Sequence, residues 1–111
     1  MPTAAKSAKD ELLHTLRVIV FREGDIYVAQ GIELDISTQA KDIDTLIKRL
    51  DLTIDAECAM SLERGCKRFE GIPSAPNYYH DLWEKRSVAL THLHVPVDHH
   101  LRLEVALAQA A

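Results

Sequence analysis

The apolar residues of this chain change their spacing near residue 42, and this change limits the folds that the chain can adopt. Before that point, β-branched and alternating runs favour strands, in which every second side chain faces the same way. After Asp42, apolar side chains recur at the spacing of a helix that buries one face: Ile43, Leu46, Ile47, Leu50, Ile54 and Cys58. We therefore predict a helix over residues 42–64, capped by Asp42, whose apolar face packs on a sheet.

Three strands are predicted before this helix. Residues 16–21 form an apolar, β-branched run that suits a strand covered on both faces. Gly24 and Asp25 can form a tight hairpin turn that leads into a second strand over residues 26–30. Residues 34–39 alternate apolar and polar positions, so they would complete an antiparallel meander as its third strand.

The chain after the long helix is predicted to add a short helix and a final strand. Gly65 would end the long helix, and residues 77–85 can form a short one that Asn77 caps. Residues 101–108 alternate strictly and indicate a strand, whereas residues 88–95 are either an extended connection or an extra edge strand. The predicted fold class is therefore α+β, with the order β-β-β-α-(α)-β.

Length and composition favour one small globular domain. The chain has 111 residues, of which 47% are apolar, and it contains two cysteines. We expect a flexible arm over residues 1–15, a single domain over residues 16–111, and Cys58 and Cys66 as reduced packing residues. Because the sequence contains neither a secretion signal nor an apolar stretch of bilayer length, we expect a cytoplasmic protein without a membrane partner.

The charge balance favours a protein partner over a nucleic acid. Seventeen Asp and Glu residues outnumber thirteen Lys and Arg residues, and the formal net charge is −4. Nucleic acids are held through clustered basic residues, so we expect no direct nucleic-acid binding. A basic protein would suit this surface better, because opposite charge speeds encounter and selects partners.

Histidines near the C-terminus are the main candidates for chemistry. His92 and His94 would face the same way in a strand, and with His99, His100 and Glu104 they could hold a metal ion. Exposed histidines are common, however, and this spacing is a weak motif without a defined third ligand. The four glycines form no clustered phosphate-binding loop, and the serines and cysteines lie in no nucleophile motif. We therefore expect no enzymatic activity, no cofactor and no bound metal.

Several of these segments, taken in order, are typical of one known family. They are residues 16–21, Gly24-Asp25, residues 26–30, residues 34–39 and Asp42-Ile43-Asp44. In this order they resemble the HicB-like antitoxin family, whose partial ribonuclease H-like domain runs strand, strand, strand, helix, strand. In that family the crossover helix returns the chain to a strand beside the first one and parallel to it. Many members also carry a DNA-binding segment at the C-terminus, and no basic helical module follows Arg102 here.

The resemblance implies a binding function. A HicB-like domain would neutralise a small basic RNA-cleaving toxin by covering its RNA-binding surface, and we select Glu33, Asp35, Asp42 and Asp44 as candidate contacts. Two alternatives remain open. The chain could be a self-associating scaffold that pairs through an exposed sheet edge, consistent with an expected homo-oligomer. It could also be a small metal-dependent enzyme built on the histidines named above.

Overall fold

The computed structural model describes residues 15–94 and 101–108, and for residues 88 and 90–94 it describes the backbone only. Within these residues five strands form one mixed sheet: β1 (Thr15–Glu23), β2 (Ile26–Gly31), β3 (Ser37–Ala40), β4 (Arg86–His94) and β5 (Leu101–Ala108). Two helices complete this part of the chain: α1 (Ile43–Glu63) and α2 (Asn77–Glu84). The predicted α+β class is therefore confirmed.

The strands lie in the order β3-β2-β1-β5-β4. β1 pairs antiparallel with β2 across the Gly24-Asp25 turn, and β2 pairs antiparallel with β3. β5 lies on the other side of β1 and runs parallel to it, with Val18 opposite Val105. β4 pairs antiparallel with β5 and forms the outer edge, so residues 86–94 are the extra edge strand rather than an extended connection.

The face of the sheet that α1 covers holds the main core. Of the six helix residues predicted to face the sheet, Leu46, Leu50, Ile54 and Cys58 are buried, and the remaining two, Ile43 and Ile47, are partly buried against the same cluster. Their partners are alternate residues of β1 and β5: Leu16, Val18, Val20, Leu101, Leu103 and Val105. Burial of each such large apolar side chain contributes about 1.5–3 kcal/mol before conformational entropy is counted. The prediction that this helix packs on the sheet is confirmed.

The opposite face carries a second, smaller cluster under α2. Ile19 of β1, Ala106 of β5 and Trp83 of α2 are buried together with Ile32, which lies after β2. Phe21 stacks with Tyr79 at a ring-centroid distance of 6.0 Å. Because β1 presents buried residues on both faces, its reading as a strand covered on both sides is confirmed.

The third predicted strand is displaced toward the C-terminus. The structure places β3 at Ser37–Ala40, and Leu34 and Ile36 are buried in the preceding connection instead of in the ladder. The Gly31 N–H donates to the Ile36 carbonyl at 2.8 Å and closes this connection into a turn. A Cβ atom at Gly31 would lie 2.5 Å from the Leu34 carbonyl oxygen, so the close approach requires glycine.

The helix ends agree with the prediction for α1 and differ for α2. Asp42 is the N-cap of α1, which ends before Arg64 and Gly65 as expected. Asn77 does not cap α2: the N-cap is Pro76, and Asn77 is the first helical residue. Proline suits a helix start because its ring fixes φ near the required value and the first amides of a helix need no intrahelical partner.

The connection between the helices is held by one buried aromatic side chain. Phe69 is fully buried in the α1-side core, although its backbone has a φ of 62°, which non-glycine residues rarely adopt. Its N–H donates to the hydroxyl oxygen of Ser61 at 3.2 Å, and Ser61 is itself a buried residue of α1. The buried ring and this hydrogen bond together offset the backbone strain.

The remaining expectations concern the N-terminal arm, membrane-spanning segments and the two cysteines. The predicted arm over residues 1–15 lies outside the described residues, except that Thr15 begins β1. The two described helices, α1 and α2, do not combine the length and apolar character that a membrane-spanning helix requires. Of the two cysteines, Cys58 is a core residue, whereas Cys66 is only partly buried.

Candidate functional site

Glu33 and Asp35, the first two predicted contact residues, lie in the connection between β2 and β3. The Glu33 carboxylate accepts hydrogen bonds from the Arg17 backbone N–H at 2.8 Å and from the Arg17 guanidinium, and both side chains are about one-third exposed. Asp35 is exposed, and one of its carboxylate oxygens accepts from the Gln30 side-chain amide at 2.9 Å. Glu33 therefore has a structural role in fixing β1, whereas Asp35 presents its charge to solvent.

Asp42 and Asp44, the other two predicted contacts, lie at the start of α1. The Asp42 carboxylate accepts from the Thr45 backbone N–H at 2.8 Å and from the Thr45 hydroxyl at 3.1 Å. The hydrogen bond from the Thr45 N–H, followed by that from its hydroxyl, holds the pKa of Asp42 below its ordinary value of 3.8. Asp44 is exposed in the first turn, where the helix dipole favours negative charge.

The four predicted contacts lie in two groups on either side of β3 in the chain, and none of the hydrogen bonds described above for these residues joins one of them to another. β3 separates the loop pair, Glu33 and Asp35, from the helix pair, Asp42 and Asp44. The four residues of β3 span about 10 Å along the strand. This length exceeds the Debye length of about 8 Å at physiological salt, so charges at the two ends of β3 are largely screened from each other.

A shallow cleft of about 370 Å³ lies beside the helix pair, between the end of β3 and the first turns of α1. Its lining residues are Ile26, Gln39, Ala40, Lys41, Asp42, Thr45 and Arg49. The Arg49 guanidinium donates to the Gln39 carbonyl oxygen at 2.8 Å and so occupies one backbone acceptor of the edge strand β3. Charged side chains that cover an edge strand in this way disfavour the addition of another strand.

Sequence reasoning missed a second cleft on the α2 side of the sheet. It measures about 270 Å³ and is lined by Trp83, Arg86, Ala89, Arg102, Glu104, Val105 and Ala106. The guanidinium carbons of Arg86 and Arg17 lie 4.6 Å and 5.6 Å from the centre of the Trp83 ring. The alternation in β5 already places Arg102 and Glu104 on one face, but no local signal predicts that Arg17 and Arg86 meet at Trp83.

The four histidines proposed as metal ligands lie only partly within the described residues. Leu103 pairs with His92 and Leu101 with His94 along the β4–β5 ladder, as backbone partners. His99 and His100 lie outside the described residues. The described residues contain no group of three or more His, Cys, Asp or Glu side chains that could hold a metal ion. The prediction that the chain binds no metal and the alternative of a site built from all four histidines both depend on residues outside the described range.

Comparisons with protein-family models, curated proteins and solved structures find no match to this chain. The candidate site consists of the two acidic pairs at either end of β3, with the cleft beside the helix pair. Together they place carboxylates at both ends of an edge strand, with the cations Lys41 and Arg49 in the cleft beside Asp42.

Proposed function

We propose that this chain is a HicB-like antitoxin domain with a partial ribonuclease H-like fold, and that it neutralises a small basic RNA-cleaving toxin. The observation that carries the proposal is the position of the last strand: β5 lies beside β1 and parallel to it, after α1 has crossed the sheet. The family resemblance covers residues 16–64 in order and matches the last strand by position only, and the parallel placement beside the first strand is what it implies.

Charge supports a basic partner. The loop pair and the helix pair present exposed Asp35 and Asp44 at opposite ends of β3, so a basic protein that lies along this edge would meet an acidic group at each end. Separated charges of this kind steer a partner and fix its orientation more than they add to affinity. The bond from Arg49 to the Gln39 carbonyl makes strand addition at β3 a less favourable mode of contact than side-chain docking.

The test uses the product of the neighbouring reading frame. The proposal expects that frame to encode a short, basic, RNA-cleaving protein with one essential histidine. The purified product should cleave RNA by itself, and an equimolar amount of the present chain should abolish the cleavage. Complex formation should weaken steeply as salt concentration rises, because the attraction between the two surfaces is screened.

Neutral variants separate the acidic pairs from general charge effects. The quadruple variant Glu33→Gln, Asp35→Asn, Asp42→Asn and Asp44→Asn removes the charges and keeps hydrogen-bonding groups, including an Asn that can cap α1. We expect inhibition to fall at least tenfold. The matched control neutralises four other exposed acidic residues and changes the net charge equally: Glu23→Gln, Asp25→Asn, Asp81→Asn and Glu84→Gln.

Two results would reject parts of this proposal in different ways. A folded quadruple variant that inhibits as well as the control would reject the acidic pairs as contacts while leaving the antitoxin function in place. A neighbouring product that neither cleaves RNA nor binds this chain would reject the function itself.

A further inference from the structure

The outward side of α1 carries several large apolar side chains that the described part of the chain leaves exposed. Leu52 is 68% exposed, Leu62 is 48% exposed and Met60 is 39% exposed. These are three of the four large apolar side chains that are exposed in the described part of the protein. Ala56 and Ala59 are exposed between them. We call Leu52, Ala56, Ala59 and Met60 the outer stripe.

The spacing of the outer stripe suits contact with another helix. Residue 56 lies four positions from residues 52 and 60 and three from residue 59, so the four residues share one side of α1, opposite the face that packs on the sheet. The alanines at its centre would let a second helix approach closely, and Leu52 and Met60 would pack on either side of that point.

Charge along the same side of α1 defines the orientation of a helix that docks there. Lys48 is exposed one turn before Leu52, and Glu63 is exposed one turn after Ala59. A second α1 packed antiparallel places the Lys48 of each copy beside the Glu63 of the other, whereas a parallel arrangement places like charges together. Asp55, on the flank of the stripe, already has an interaction partner. The outer side of α1 is therefore complementary to itself under a two-fold rotation.

We propose that two copies of this chain associate through the outer stripe, with their α1 helices antiparallel about a two-fold axis beside Ala56. The Leu52 side chain of each copy then packs near Ala59 and Met60 of the other. α1 has 21 residues and is about 31 Å long, so a single helix pair lies at the low end of interface areas. The dimer is weak and depends on concentration in the micromolar range.

The first test places a charge on the proposed axis. Ala56→Lys would bring two ammonium groups face to face in the dimer while substituting an exposed helical position with a good helix former. Sedimentation equilibrium of the full chain should show a dimerisation constant weakened at least tenfold. Tyr78→Lys is the matched control: Tyr78 on α2 is 63% exposed, the net charge changes equally, and the dimer should keep its affinity.

The second test exchanges the charges. Lys48→Glu and Glu63→Lys should each weaken the dimer about threefold to tenfold, because each creates two like-charge contacts across the interface. The double variant should recover most of the original affinity, since every contact is again between opposite charges. Far-UV circular dichroism and thermal unfolding identify any variant that has lost its fold rather than its contact.

Cross-linking fixes the position of the axis. In a Cys66→Ser background, Ala56→Cys should form an intermolecular disulfide on mild oxidation, because the two β-carbons lie beside the axis. Glu84→Cys on α2 should remain unlinked under the same conditions. A disulfide that forms in the Ala56→Cys variant and not in the Glu84→Cys variant distinguishes a specific contact at α1 from random collision between copies.

Several outcomes overturn the proposal. A chain that stays monomeric at every concentration up to about 500 µM contradicts it, as does a dimer that Ala56→Lys leaves intact. A dimer lost in the Lys48→Glu variant and not recovered in the double variant rejects the antiparallel orientation. A further outcome is that removal of residues 1–14 converts a monomer into a dimer through α1. That result would mean that the N-terminal segment covers the outer stripe in the full chain, and it would reject the dimer of the full chain. The antitoxin assay is independent of each of these results.

Discussion

The two faces of the sheet differ in how they are built, although β1 and β5 contribute to both. On the α1 side, alternate residues of the strands and one face of α1 form a continuous apolar core. On the α2 side, a small cluster around Trp83 borders arginines and a cleft that opens to solvent. The first face buries the larger apolar cluster, and the second holds α2 in place through Trp83, the stack of Tyr79 on Phe21 and the arginines beside Trp83.

The difference between the two faces follows from the lengths of the helices that cover them. A long amphipathic helix can bury a full apolar face and stabilises the fold through area. An eight-residue helix cannot, so its position depends on a few specific contacts. We therefore expect substitutions on the α1 side to threaten the whole fold, and equivalent substitutions on the α2 side to be tolerated at lower cost.

The largest effect is expected at the centre of the α1 face. Leu50 is fully buried, so Leu50→Asp would place a carboxylate without partners in the apolar core. We expect the loss of about 5 kcal/mol or more, which is enough to unfold a domain of this size. Leu52→Asp, two residues along the same helix at an exposed position, is the control and should keep its fold. Circular dichroism in urea measures both, and a Leu50→Asp variant as stable as the control would contradict the packing of α1.

Removing one aromatic side chain from each face compares the two faces directly. Phe69→Ala should cost about 3–5 kcal/mol, because the ring is fully buried and leaves a closed cavity. Trp83→Ala should cost about 2–3 kcal/mol despite the larger side chain, because solvent can enter from the adjoining cleft. Urea unfolding followed by far-UV circular dichroism gives both values. Equal losses, or a larger loss for Trp83, would remove the distinction between the faces.

A smaller effect is expected from the arginine that links β1 to both Glu33 and Trp83. Arg17→Gln removes an ion pair and a cation–π contact, at a cost of about 1 kcal/mol because the Arg17 and Glu33 side chains are both partly exposed. The Glu33 carboxylate still accepts from the backbone N–H of residue 17, which limits the loss. Arg22→Gln on the same strand is exposed and should cost less. A cost at Arg22 equal to that at Arg17 would show that the Glu33 contact adds nothing.

The smallest effect concerns the first turn of α1 and depends on pH. Because the pKa of Asp42 is lowered in the folded protein, its carboxylate stabilises the fold above pH 3.8, and this contribution is lost as the pH falls through the lowered pKa. The difference in melting temperature between the native chain and Asp42→Asn should therefore be largest near neutral pH and shrink in acid. Melting curves between pH 2 and 7 test this, and a constant difference would contradict it.

Much of the fold follows from local sequence. The helical spacing after Asp42 and the cap at Asp42 predict α1 within a residue at each end. The Gly24-Asp25 turn and the strict alternation of residues 101–108 likewise predict the first hairpin and β5. Each signal lies within one element, where the period of apolar residues and the preferences of a few turn and cap residues are sufficient.

Other features depend on backbone geometry that the spacing of residues does not show. Leu34 and Ile36 alternate like strand residues, but the turn closed at Gly31 removes them from the ladder. Asn77 has the chemistry of a cap, yet α2 begins after Pro76. The four acidic candidates could be selected from charge alone, but their separation into two pairs depends on where β3 begins and ends.

The amino-acid order by itself determined α1 and its apolar face, the first hairpin and β5, since these properties are set within a few residues. Only the tertiary structure decided that β5 lies beside β1, that Glu33 engages Arg17, and that two arginines meet over Trp83. These contacts join residues far apart in the chain. They depend on the register of the strands, because pairing brings side chains from distant segments onto one face of the sheet.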